Sequence, residues 1–264
     1  MGVISSKFKA AREAYRYIPA RLIRANGLGD LNWRGLHLKM DVPSNWEKGG
    51  EVVRQKYSSV KLDEFHYGLL THADDETLVH GLLSAVFWGF ASGVKSRVTS
   101  GRALARSEMI LRGHSHSRPQ NVEQILVQLR KTNEYLRQEK VGDALREARK
   151  VKFLGMSFAS KVVMFMNPTR AAVYDSIISD KLRKRHATEF RSLYVTTAGN
   201  SPKLIAQQCE RYERWCEWCS NTAQFLNRSA MKWTDWDGSK HDWRAVDVER
   251  AFFAAGDELS NIGT

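Results

Sequence analysis

The chain has 264 residues, enough for one large domain or two small lobes that share a cleft. No stretch approaches the ~20 uninterrupted apolar residues of a bilayer-spanning helix, so a membrane span is excluded. A formal charge of +12 and a pI near 9.7 favour a polyanionic partner, although charge of this kind governs association and solubility rather than fold.

In chain order, residues 1–29 carry six Lys or Arg against one acid, with apolar residues at roughly helical spacing. This predicts a basic amphipathic helix over residues 5–25, kinked at Pro19 and broken at Gly27-Leu-Gly-Asp30. Leu36, Leu38, Met40 and Val42 alternate with polar positions and predict a short strand before Pro43. Residues 77–91 are apolar on almost every side, as in a helix at the centre of a bundle, and the acids of Asp74-Asp-Glu76 suit its positive end. Further helices are expected over residues 100–112 and 121–139, with Val122, Ile125, Leu126 and Leu129 of the latter facing the core.

Residues 143–152 read as a helix, residues 153–157 as a glycine-centred break, and residues 158–166 as a second helix stopped by Asn167-Pro168. A helix then runs from Asp175 to about Phe190, a long one covers residues 202–227, and a loop over residues 228–242 carries Trp233 and Trp236. The last helix spans residues 243–255. Strand signals are too few for a large sheet, so the expected class is all-α, a helical bundle with a small irregular N-terminal region. Residues 1–60 are read as a basic N-terminal extension and residues 61–264 as the helical domain.

Cys209, Cys216 and Cys219 follow C-x6-C-x2-C, an odd cluster one short of the four thiolates that an iron–sulfur centre normally takes. The same cysteines continue through Tyr212, Ala223 and Leu226 as a stripe at steps of three and four, the pattern of a buried helix face. Core cysteine is the expectation, with no cofactor and no metal. Clustered thiols also suit a reducing compartment, taken as the cytoplasm.

The segments Phe153-Leu-Gly-Met-Ser157, Ser160-Lys161, Phe165-Met-Asn-Pro168 and Val173-Tyr-Asp-Ser176 stand in an order that resembles the helix-hairpin-helix DNA glycosylases. The likeness is narrower to bacterial proteins related to 8-oxoguanine DNA glycosylase, which Phe87-Trp-Gly89, the run from Gly101 to Arg106 and the run from Trp243 to Phe252 also fit. The family's usual hairpin is Leu-Pro-Gly-Val-Gly followed quickly by Lys. Here Leu154 and Ser157 replace the Pro and the second Gly, and Lys161 lies further along the helix. The resemblance implies two helical lobes around a cleft, with the hairpin inside residues 143–166. It also implies double-stranded DNA containing a modified base as partner, and excision of that base.

Each residue singled out carries two readings. Asp175 either stabilises positive charge on the sugar as the base departs or caps the helix that begins at Ser176. Lys161 either attacks the sugar carbon and forms a Schiff base or makes a phosphate contact. Gly155, Ser157 and Ser160 of the hairpin are DNA-binding candidates, because unpaired amides at a helix start can hold a phosphate. Arg97, Arg102 and Arg106 belong to one basic run and Lys181 and Arg183 to another, and these runs either flank a DNA cleft or are solvated helix faces. A flipped base needs stacking walls and an edge reader, for which Trp88, Trp233, Trp236, Trp243, Phe252 and Asp247 are the candidates. Asp247 is equally a partner for Arg244 or Arg250. The competing class is a helix-hairpin-helix DNA-binding module without chemistry.

Overall fold

The computed structural model describes residues 2–46, 50–91, 100–185 and 188–255. Helix α1 (Gly2–Glu13) precedes strands β1 (Arg21–Arg24), β2 (Leu31–Trp33) and β3 (Leu36–Asp41), which form an antiparallel sheet in the order β1-β3-β2. The bundle follows as α2 (Gly50–Arg54), α3 (Ser59–Leu70), α4 (Asp75–Ala91), α5 (Ser100–Arg112), α6 (Val122–Arg137), α7 (Val141–Ala148), α8 (Met156–Met166), α9 (Ser176–Lys184), α10 (Thr188–Leu193) and α11 (Pro202–Arg228). A small hairpin of β4 (Trp233–Thr234) and β5 (Lys240–His241) leads into α12 (Ala245–Ala254). The class is all-α with a small N-terminal sheet, and no helix among the described residues is long and apolar enough to cross a membrane.

Helices α4 and α8 form the centre because their sequences offer no polar face to turn outward. Every residue of α4 from Leu78 to Trp88 is buried, as is every residue of α8 from Ala159 to Met166. Some of the polar groups this region buries tie it to its neighbours. Ser84 Oγ accepts from Leu22 N at 3.0 Å, and His80 Nε2 lies 2.8 Å from Leu22 O, which ties β1 to α4. His66, stacked on Phe165 at 4.1 Å, is pushed by burial down to about 4 and is therefore neutral at pH 7.

Several boundaries differ from expectation. The helix predicted to reach residue 25 ends at Glu13, because Pro19 breaks it and Arg21–Arg24 pairs with β3, burying Leu22 opposite Met40. The helix after Asp175 ends at Lys184 instead of Phe190, and the final helix begins at Ala245 instead of Trp243. On α11 the stripe of Cys209, Tyr212, Cys216, Cys219, Ala223 and Leu226 is buried as its period predicts. Its thiols are free, and burial pushes that of Cys216 up to about 12.

The interior also holds charge. Arg12 of α1 donates to Asp247 of α12 at 3.0 Å and to Ser59 at 2.6 Å, with its guanidinium 3.6 Å from the Trp233 ring centre. Arg244 bridges Asp247 at 2.8 Å and Asp63 of α3 at 2.7 Å, and Arg250 grips both oxygens of Asp63. Burial alone would raise the Asp247 carboxyl, but the guanidiniums of Arg244 and Arg12 outweigh it and hold the group well below the usual carboxylate range.

Two measurements follow. Asp63→Ala leaves Arg250 buried without its carboxylate and is expected to lose about 3–5 kcal/mol in urea denaturation at pH 7; a loss under about 0.5 kcal/mol would show that the network is not structural. The depressed Asp247 group adds stability that is complete above its unfolded value of about 4 and disappears as pH falls through its lower folded value. Asp247→Asn should therefore flatten the acid limb of the stability curve, and an unchanged limb contradicts this.

Candidate active site

The turn between α7 and α8 is built by the chain around residues 149–155. Phe153 adopts φ +69°, a left-handed conformation that a bulky residue rarely takes, and Leu154 N closes the turn onto Val151 O at 3.2 Å. The bend is braced from the loop before α6, where Gln120 Oε1 accepts from Lys152 N at 2.9 Å. Gly155 is the N-cap of α8 and supplies no side-chain acceptor, so the first amides of that helix point outward with the positive end of its dipole. Gly155 is exposed and Ser157 half-buried, where a phosphate can reach them.

Ser160 has a different role from the DNA contact expected of it. It is fully buried, and its Oγ accepts from Tyr174 N at 3.0 Å and lies 3.2 Å from Tyr174 O. This hydroxyl pins residues 171–174 along α8. Trp215 Nε1 holds the same segment by donating to Val173 O at 3.0 Å, and the Tyr174 hydroxyl accepts from Val195 N at 2.8 Å and donates to Leu193 O at 3.0 Å. Asp175 is thereby delivered beside Lys161.

Both readings of Asp175 are realised on different oxygens. Oδ1 accepts from Ile177 N and Ile178 N, each at 3.0 Å, and caps α9. Oδ2 is left facing Lys161 Nζ at 3.7 Å, close enough for ion pairing and too long for a hydrogen bond. The Asp175 and Lys161 side chains keep 14% and 6% of their surface, so the pair is largely buried and still meets solvent. Lys161 Nζ also lies 3.4 Å from Ser157 O and 5.4 Å from the Phe158 ring centre.

Gly89 makes room for this lysine. A Cβ there would fall 2.7 Å from Phe158 Cε1 and 2.9 Å from Lys161 Cδ, so a side chain at residue 89 displaces the amine or the ring. Phe158 stacks on Phe90 at 4.2 Å, and the Arg106 guanidinium lies 5.8 Å from the Phe90 ring centre, which sets this arginine on the rim beside the lysine.

On the other side stand Tyr17, Trp88 and Phe253. Tyr17 meets Trp88 at 4.9 Å and Phe253 at 5.8 Å, and Trp88 Nε1 is buried with no hydrogen-bond partner among the described residues. Burial raises the Tyr17 hydroxyl, and the nearby Asp175 carboxylate raises it further. Glu249 is itself buried in α12 and pushed up to about 8, first by burial and then by Asp175, with Arg250, Lys161 and Arg12 opposing. Tyr17, Phe253 and Glu249 were not singled out from sequence. The only signal for Glu249 is its position two residues from Asp247, which turns it to another face of the same helix.

Other candidates lie elsewhere. Asp247 is fully buried in the ion network, so it is a partner of Arg12 and Arg244 and not an edge reader. Trp233, Trp243 and Phe252 are core: Trp233 packs under Arg12, Trp243 Nε1 donates to Met231 O at 2.8 Å, and Phe252 lies among Phe190, Trp215 and Trp218. Trp236 is buried rather than facing DNA, with Nε1 donating to Tyr15 O at 3.0 Å and its ring against Trp46 at 4.8 Å. Of the expected wall residues, Trp88 packs on α8, its ring 4.9 Å from that of Phe165.

Among the basic candidates, Lys181 donates to Phe252 O at 3.2 Å, Phe253 O at 2.8 Å and Ala255 O, closing the negative end of α12, so it is a structural cap. Arg102, Arg106 and Arg183 are exposed, while Arg97 lies outside the described residues. Asp235, Asp237 and His241 converge within 4.8 Å, but the oxygens of Asp235 are taken by Ser58, Ser59 and the amides of Val60 and Trp236, so this group serves as a brace at the start of α3.

Residues 39–253 match the family described as "Putative 8-oxoguanine DNA glycosylase OGG-like protein". No curated protein and no solved structure matches the chain. The match spans both helices around the turn, the Lys161–Asp175 pair and the helix that carries Glu249, and the chain therefore belongs to the OGG-like family of DNA glycosylases.

Proposed function

We propose that the protein is a DNA N-glycosylase that holds duplex DNA by a helix-hairpin-helix clamp, flips a modified base out beside the Lys161–Asp175 pair and releases it. The observation that carries this reading is the Lys161–Asp175 pair at 3.7 Å, buried beside an aromatic wall and directly behind the exposed start of α8. Burying two charges costs several kcal/mol when little else binds them, which a module that only grips phosphates has no reason to spend.

The chemistry follows from the sugar. As the base departs, positive charge grows at C1′ and the ring oxygen, and a carboxylate beside it lowers the barrier. Asp175 suits this task because Oδ1 is locked by two amides, which leaves Oδ2 facing Lys161. Gly155, Ser157, Arg102, Arg106 and Arg183 take the phosphates. Tyr17, Trp88 and Phe253 wall the flipped base, offsetting the few kcal/mol that unstacking costs. Lys161 acts second, its amine closing on the aldehyde of the opened abasic sugar as a Schiff base. The substrate is oxidised guanine or a hypermodified base of foreign or phage DNA; the latter would make the enzyme a defence against phage.

Duplexes with a single 8-oxoguanine, 5-hydroxymethylcytosine or glucosylated 5-hydroxymethylcytosine, followed by alkali, test the reading directly. Asp175→Asn is expected to keep DNA affinity within about threefold and to lose about 10²–10³ in base release; binding without release by the wild type would leave only a DNA-binding module. Borohydride should trap the wild type on an abasic duplex and fail with Lys161→Ala, whereas an adduct that survives this substitution refutes the lysine's role.

A further inference from the structure

Lys161 is held by packing more than by bonds. Its Nζ lies 3.4 Å from Ser157 O and 3.7 Å from Asp175 Oδ2, both longer than a strong charge-assisted hydrogen bond. An ammonium without a tight partner takes its position from whatever surrounds its methylenes. On α4 they meet Gly89, where the missing Cβ would stand 2.9 Å from Lys161 Cδ, 3.3 Å from Lys161 Cε and 2.7 Å from Phe158 Cε1.

Glycine inside a helix runs against local preference, since alanine forms helix better and loses less entropy on folding. The two glycines of α4 make room for different things. A Cβ at Gly81 would meet Leu69 Cβ at 2.9 Å and both Cγ and N of Leu70 at 3.0 Å, so that glycine lets α3 approach. At Gly89 the three nearest atoms all belong to the ring of Phe158 and the stem of Lys161, and no backbone atom is among them. Phe158 is backed by its stack on Phe90 at 4.2 Å, which leaves the lysine stem as the part that yields. To regain an ordinary carbon–carbon separation from a new Cβ, Cδ would retreat by about 1 Å. Asp175 does not depend on this notch, because its Oδ1 is held by the amides of Ile177 and Ile178 and the segment before it by Ser160 and Trp215.

Resting on the glycosylase reading, we propose that Gly89 is a positioning residue for Lys161, its missing side chain being the notch that lets the amine reach C1′. This one residue then decides whether base release is followed by covalent capture of the sugar. In the capture step the neutral amine bonds to C1′ of the ring-opened abasic sugar, its two protons pass to the aldehyde oxygen, and that oxygen leaves as water, giving the C=N bond. Base release draws on Asp175 and not on the notch. A misplacement of about 1 Å costs a reacting group up to about 10²-fold in rate, enough to remove the covalent step and spare release.

The test measures two rates on the full chain: single-turnover base release on whichever duplex of the three above the wild type cleaves, and borohydride trapping on a duplex with a preformed abasic site. Gly89→Ala is expected to release base within about threefold of wild type and to be trapped about 10–10²-fold more slowly. Gly81→Ala crowds α3 instead and controls for lost stability, so its ratio of trapping to release should match wild type. Phe158→Leu opens the other wall of the notch and should lower trapping relative to release; if Gly89→Ala does not fold, an unchanged ratio in Phe158→Leu overturns the proposal. Without DNA, the ε-carbon resonance of ¹³C-lysine-labelled protein that is missing in Lys161→Ala should move in Gly89→Ala and stay in place in Gly81→Ala. Trapping that keeps pace with release in Gly89→Ala overturns the proposal, as does a resonance that does not move or the same selective loss in Gly81→Ala. A wild type inert on every duplex removes the glycosylase reading and this role with it; a wild type that releases base but is never trapped, or is trapped no faster than Gly89→Ala, removes this role alone.

Discussion

The buried ion network joining α1, α3 and α12 is the constraint on which the placing of the aromatic cluster depends. Arg12 and Asp247 are 235 positions apart, and both are almost completely buried where they meet. Guanidiniums are expensive to desolvate, and the cost is offset only because each finds bidentate or bridging carboxylate partners and the charges cancel. Asp63 and Asp247 each take two arginines, so α1, α3 and α12 cannot shift independently. The consequence for function lies just past the end of α1. Tyr15 and Tyr17 emerge there, and with α1 fixed against α12 they stack toward Phe253 and Trp88. The aromatic wall is thus held by electrostatics some way from the reacting groups.

The opposite wall is held by hydrogen bonds. Ser160 fastens an extended segment to α8, and the fastening sets the register that brings Asp175 to Lys161. Using one carboxylate oxygen to cap α9 is what makes the other directional, since two amide bonds leave the group little freedom. In the proposed mechanism capping and catalysis are the same feature. This bears on why the pair tolerates a spacing unlike the family's usual hairpin: the approach of the lysine is set by Ser160, Gly89 and Phe158 as much as by the turn.

Features that depend on local pattern were legible in the sequence. The central character of α4 follows from its unbroken apolar run, the cysteine stripe from its period, and the turn before α8 from Gly155 and the proline that ends the helix. The cap that Asp175 places on α9 was legible because its context is local. The tryptophans were not, because whether an indole lines a groove or fills a core depends on what packs over it, and Arg12 covers Trp233 from the far end of the chain. Lys181 likewise reads as part of a basic run until α12 ends beside it and offers its carbonyls. Glu249 escaped for the strongest reason: its protonation results from matching charges across several helices, and no window of sequence contains that sum.

Taken together, the Lys161–Asp175 pair offers a cation and a directed carboxylate, and Tyr17, Trp88 and Phe253 offer aromatic faces. The most direct test of that geometry is a crystal structure of the Asp175→Asn variant with a duplex carrying a modified base that the wild type excises. The expected result is a base swung out of the helix between Tyr17, Trp88 and Phe253, with its C1′ beside residue 175 and the phosphates against the start of α8. A base still stacked in the duplex, or a duplex bound to another face, would contradict it.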